Sequence, residues 1–205
     1  MPAILATKLG MTQRFLEDGS VARVTVLRAG PCPVTAIRAA DRDGYEAVQL
    51  AFGETTAKRL TKAEVGHLAK ADAPPMRHVV ELRGFAAELQ VGETVTVDAF
   101  QVGERLKIAG VTKGKGFQGT IARHNFKRGP KTHGSHNVRG PGSIGAAATP
   151  SRVFKGMRMA GHGGAKRATQ RGLRIVAIDA DENLLLVRGS VPGARGGLVE
   201  VRSDA

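Results

Sequence analysis

From Arg105 to Ile178 the chain runs 74 residues without a single aspartate or glutamate. The carboxylates jump from Glu104 to Asp179, and 16 lysines and arginines fall in between. That leaves 15 of the 31 basic residues to face all 18 acidic ones elsewhere, so the positive excess belongs entirely to the gap. A solvated face normally mixes signs to limit self-repulsion. A stretch this long with one sign needs an external polyanion to balance it. Nucleic acid is the partner that such a footprint fits.

The same stretch changes texture. Fourteen glycines lie between Gly110 and Gly172, with Pro130, Pro141 and Pro150 among them, and between Lys127 and Arg152 neither a helical nor a strand period survives. Such a composition buries too little apolar surface to offset its chain entropy, so the segment is expected to be flexible alone and to order against its partner. Glycine also lets a backbone approach phosphates closely.

On either side the sequence reads as short strands. Ala3–Leu9 and Val21–Ala29 flank a hairpin signal at Asp18-Gly19, and Val34–Arg38 and Tyr45–Phe52 flank a second turn at Asp41-Arg42-Asp43-Gly44. Thr61 and Glu64 have capping-box spacing, which predicts a short helix with Val65, Leu68 and Ala69 on one face, stopped by Pro74-Pro75. Met76–Phe85, Thr94–Val97 and Arg105–Val111 alternate as strands do, and Phe117–His124 predicts one or two helical turns. Leu173–Ile178, Leu184–Val187 and Leu198–Val201 are further strands. The expectation is a mainly β body, a barrel or sandwich, formed by residues 1–112 and 172–205 with a helical insert near 61–72. It carries an irregular basic extension at 113–171.

Catalytic chemistry finds little support. Gly110-Val111-Thr112-Lys113-Gly114-Lys115-Gly116 lacks phosphate-loop spacing and has no Ser or Thr after the lysine. His124, His133, His136 and His162 sit where no carboxylate or cysteine helps to hold a metal, so RNA contact is the better reading, with no metal or cofactor. The basic residues fall among glycines instead of along a helical face, unlike a helix-in-groove DNA reader. With no Trp, one Tyr and seven Phe, an aromatic sheet face for single strands lacks its residues, and Phe117, Phe126 and Phe154 are expected to anchor the segment to the body. The single cysteine, Cys32, excludes an internal disulfide and reads as a small core or loop residue. No apolar run is long enough for a membrane span and the N-terminus lacks a signal-peptide layout, so a cytoplasmic location without a membrane partner is expected. These residues leave three classes: a structural RNA-binding protein, a general nucleic-acid or chromosome-organising factor, and an enzyme acting on RNA.

Ordered motifs narrow the choice. Gly114-Lys115-Gly116-Phe117-Gln118-Gly119, Arg123-His124, His133-Gly134-Ser135-His136, Pro141-Gly142-Ser143-Ile144-Gly145, Thr149-Pro150, Val153-Phe154-Lys155-Gly156 and Met159-Ala160-Gly161-His162 follow one another through the gap. Lys8-Leu9-Gly10-Met11-Thr12 precedes them, and Asn183 to Gly189 with Val191-Pro192-Gly193 follows. Together they closely resemble the bacterial type of the L three family of large-subunit ribosomal proteins, over essentially the whole chain. The resemblance implies a six-stranded barrel of the translation-protein type, with large-subunit rRNA and neighbouring large-subunit proteins as partners, and no small-molecule substrate. It also implies an early part in subunit assembly and an extension running toward the peptidyl transferase centre of the ribosome.

On that reading Lys113, Lys115, Arg123, Lys127, Arg128, Lys131, Arg139, Arg152, Lys155, Arg158, Lys166, Arg167, Arg171 and Arg174 neutralise phosphates, and His124, His133 and His136 add RNA contacts. Gly145, Ala146, Ala147, Ala148 and Thr149 form the tip. Family members often carry there a glutamine that a methyltransferase can modify. Ala148 stands in its place, so this chain offers no such amide.

Overall fold

A computed structural model describes residues 2–84 and 89–204. The chain divides into two compact units, Met1–Thr112 with Arg167–Ala205, and Lys113–Lys166. In chain order the elements are β1 (Ala3–Phe15), β2 (Val21–Ala29), β3 (Cys32–Arg38), α1 (Ala40–Asp43), β4 (Ala47–Glu54), α2 (Lys62–Ala69), β5 (Met76–Arg83), β6 (Thr94–Val95) and β7 (Arg105–Val111). Then follow β8 (Phe117–Gln118), α3 (Thr120–His124), β9 (Gly161–His162), β10 (Arg167–Asp179), β11 (Leu184–Arg188) and β12 (Leu198–Ser203). No helix among the described residues is long and apolar enough to cross a membrane.

The expected six-stranded barrel is present and closed, in the order β1-β12-β7-β10-β11-β2, with every neighbouring pair antiparallel. Alternation fills it: Leu106 and Ile108 of β7, Leu185 and Val187 of β11 and Val201 of β12 are fully buried. Each such side chain contributes about 1.5–3 kcal/mol by leaving water. A second sheet, β5-β4-β3-β6, adds Val34, Leu50 and Leu82 to the same core.

The β1–β2 turn forms where Asp18-Gly19 predicts it. The Asp18 carboxylate accepts from Ser20 N at 2.9 Å and Ser20 Oγ at 2.7 Å, and Gly19 takes φ +76°. The Ser20 bonds, hydroxyl first, hold the Asp18 carboxyl below its ordinary range. The second turn differs from expectation. Residues 40–43 make one helical turn, Gly44 closes it at φ +78°, and β4 starts at Ala47 instead of Tyr45. Arg38 reaches Asp43 at 2.9 Å and Glu81 at 3.1 Å across this corner, giving the polar turn residues a local use.

Helix α2 starts with the predicted capping box, Glu64 N donating to Thr61 Oγ1 and Thr61 N to the Glu64 carboxylate. Its apolar face is narrower than expected. Leu68 packs with Ala51 and Met76, Val65 is half-buried and Ala69 is exposed. Strand β5 ends at Arg83, whereas Phe85, the expected end, lies outside the described residues. Strand β6 stops at Val95, because Val97 begins a 3-10 turn.

Two motifs at opposite ends of the chain meet in one contact. Lys8 sits at a register shift in β1, and its ammonium donates to Val191 O at 2.7 Å and Gly193 O at 3.3 Å. Its backbone pairs with Gly196 and Gly197, so the loop before β12 is held by the residue that starts the first motif.

Cys32 is a core residue, fully buried with its Sγ against Leu5 O at 3.5 Å. Burial pushes its thiol up to about 12. Because a raised thiol pKa keeps the sulfur protonated and unreactive below that value, native protein at pH 8 is expected to resist iodoacetamide and to alkylate fully in urea. Stoichiometric labelling of the native chain, read by mass spectrometry, would contradict this packing.

Candidate nucleic-acid interface

The Lys113–Lys166 unit contains no acidic residue and eleven of the chain's lysines and arginines. It opens and closes with a two-stranded ribbon. Phe117 pairs with His162 and Gln118 with Gly161. Lys115 N donates to Gly163 O at 2.8 Å and Gly163 N to Gly116 O at 2.9 Å. The sequence predicts helix from Phe117, but the first two residues pair as strand and the helix starts at Thr120, after Gly119. Gly119 and the positive φ of Gly116 separate these short pieces, leaving no period long enough to read.

Glycine is required where the ribbon's chains approach. Gly164 has φ +67°, and a Cβ there would run into the Lys113 carbonyl. At Gly161 a Cβ would meet the Arg123 guanidinium at 2.7 Å, and at Gly163 the Gln118 amide oxygen at 2.7 Å. Arg123 is also tied down by its own bond to Met159 O at 2.7 Å, a carbonyl that lies 3.0 Å from His124 Nε2. Both side chains are half-buried, so they brace the unit internally.

The other expected contact residues are presented to solvent. Of the seventeen side chains assigned to RNA, fifteen are exposed, and within the unit these are Lys113, Lys115, Lys127, Arg128, Lys131, His133, His136, Arg139, Arg152, Lys155, Arg158 and Lys166. Among the described residues, 125–160 form no helix or strand. Local bonds shape them instead: Gly129 N donates to Val138 O at 3.1 Å, and Gly129 and Gly140 both abut Asn137. At the tip every residue from Gly145 to Thr149 is exposed. Ser143 Oγ donates to Gly145 O at 3.0 Å and Ser151 Oγ to Ala148 O, pegging the tip backbone from both sides.

Arg167, Arg171 and Arg174 lie on β10 of the barrel unit. Arg167 pairs with Glu200 at 2.7 Å, which neutralises part of its charge. Arg174 stands in register between Arg105 of β7 and Arg188 of β11, and all three are exposed. Like charges directly opposite one another destabilise a sheet, so this row gains from an anion. Arg188 lies beyond the carboxylate gap and charge counting gives no signal for it.

Phe117 is 69 % exposed and Phe154 61 % exposed, so neither ring is packed into a core as the sequence suggests. Phe126 is half-buried against the His124 ring, at 6.0 Å between centroids.

Residues 76–184 match the family described as Ribosomal protein L3. Among curated proteins, the large ribosomal subunit protein uL3 of Acidothermus cellulolyticus is 53 % identical over 98 % of this chain and 92 % of its own length. That of Streptomyces coelicolor is 52 % identical over 98 % and 95 %, and that of Synechococcus elongatus 52 % over 97 % and 93 %.

The close approach at Gly164 yields a test. A Gly164→Ala substitution is expected to open the ribbon, raising amide hydrogen exchange at Lys115 and Gly163 at least tenfold. Unchanged protection there would show that the Lys113–Gly164 approach is dispensable.

Proposed function

Since this chain belongs to the ribosomal protein L3 family, a structural constituent of the large ribosomal subunit and not an enzyme, we propose that its Lys113–Lys166 unit binds large-subunit rRNA directly. The observation that carries this is the segregation of charge. Eleven basic residues without one carboxylate, most of them exposed, lie on a unit held by glycine contacts and backbone bonds. RNA phosphates supply the missing negative charge, and backbone and histidine contacts set the fit to grooves and loops. The barrel carries an exposed basic row of its own, Arg105, Arg174 and Arg188, which can take phosphates as well.

The tip from Gly145 to Thr149 lies toward the peptidyl transferase centre and supports the catalytic RNA without chemistry of its own. With small side chains there, the contact is made by backbone and by the pegged turn. Binding early in assembly orders the unit and the surrounding RNA together, beside neighbouring large-subunit proteins, in the cytoplasm.

Two measurements test this. If about half of the 16 basic residues in the carboxylate gap meet phosphates, log K for rRNA falls against log salt with a slope of roughly −6 to −7, and a slope near zero would remove the electrostatic mechanism. Deleting Pro130–Phe154 is expected to leave cooperative melting of the barrel intact while large-subunit assembly or peptidyl transfer drops. Normal subunits carrying the deleted protein would refute the role of the tip.

A further inference from the structure

We propose that the open face of the β8–β9 ribbon is a stacking platform on which Phe117, braced by His162, receives an unpaired base of the RNA. This rests on the reading that the unit binds RNA, and adds base contact to a surface otherwise argued from phosphate attraction.

The ribbon has two unlike faces. One is occupied from within, where Gly161 and Gly163 carry no side chains and the Arg123 guanidinium and the Gln118 amide lie over them. Arg123 is fixed there by Met159 O. The opposite face belongs to the directly paired Phe117 and His162. Their rings meet edge to face, with centroids 5.7 Å apart and planes at 87°. That geometry uses the edge of one ring and a single face of the other, so each ring keeps at least one flat face available to a third ring. Phe117 is 69 % exposed and His162 is exposed too. A large apolar ring held at a set angle, open to water and preceded by the exposed Lys113 and Lys115, is a poor use of a phenylalanine except as a surface for another flat apolar group. On a basic unit that group is a nucleobase, because bases offer a π-face whatever their sequence while the lysines hold the flanking phosphates. Stacking needs a base splayed out of a helix, so the ribbon is directed to a loop, bulge or junction.

The experiment uses the full-length chain and large-subunit rRNA. Phe117→Leu keeps an apolar side chain but removes the ring, and is expected to weaken binding about 5- to 100-fold. The slope of log K against log salt stays unchanged, since a stacked ring releases no counterions. Lys115→Ala, by contrast, is expected to flatten that slope by about 0.7–0.9. Because the chain has no tryptophan of its own, Phe117→Trp adds a unique fluorophore whose emission is quenched on saturation with rRNA if a base stacks on it. Wild-type affinity in Phe117→Leu, or unchanged emission in Phe117→Trp at saturation, overturns the platform while leaving the electrostatic reading intact. Failure of the wild-type chain to bind rRNA overturns both.

Discussion

Everything in this chain depends on β7 and β10 lying side by side. Val111, where the chain leaves the barrel, pairs with Arg167, where it returns. Each strand is bonded on its other side as well, β7 to β12 and β10 to β11. Closure leaves these six strands without an unpaired edge to attract other chains. It also requires the last strand to bridge β1 and β7, which is why the Lys8 ammonium and the loop at Val191–Gly193 are bonded together.

The basic unit is organised by other forces. Several of its larger apolar side chains, Ile144, Val153, Met157 and Met159 among them, are exposed, and much of the internal order comes from glycine contacts, a two-pair ribbon and hydrogen bonds to carbonyls. The barrel excludes water from Leu27, Ile108 and Leu185, whereas this unit leaves most of its side chains exposed. The two are distinct physical solutions within one chain, and the distribution of carboxylates follows the division.

Much of this was legible from residue order because the signals are local. Asp18-Gly19, the Thr61–Glu64 box and the alternation of Arg105–Val111 each specify structure within a few residues. Longer elements were underread where one end is polar. Strand β10 starts six residues before Leu173, in Arg167–Gly172, and β1 continues beyond Leu9 through exposed residues paired with β2. No buried apolar side chain marks those stretches; cross-strand backbone bonds define them. The exposure of the Phe117 ring is not legible for a related reason. Composition reveals that phenylalanines are few but not which way a two-residue strand turns, and that depends on Gly161 and Gly163 yielding the other face to Gln118 and Arg123. For the basic residues the charge pattern carries no hint that Arg123 braces Met159 or that Arg167 is paired with Glu200.

The adjacency of Val111 and Arg167 bears on how such a chain changes length. Once the ladder has brought the two ends of an insertion together, most of the entropic penalty has been met. The remainder grows only as the logarithm of the residues enclosed, and doubling a flexible insertion costs about 0.6 kcal/mol. The barrel is therefore nearly indifferent to whether residues 112–166 grow or shrink, so their length is free to vary without cost to the strands that carry them.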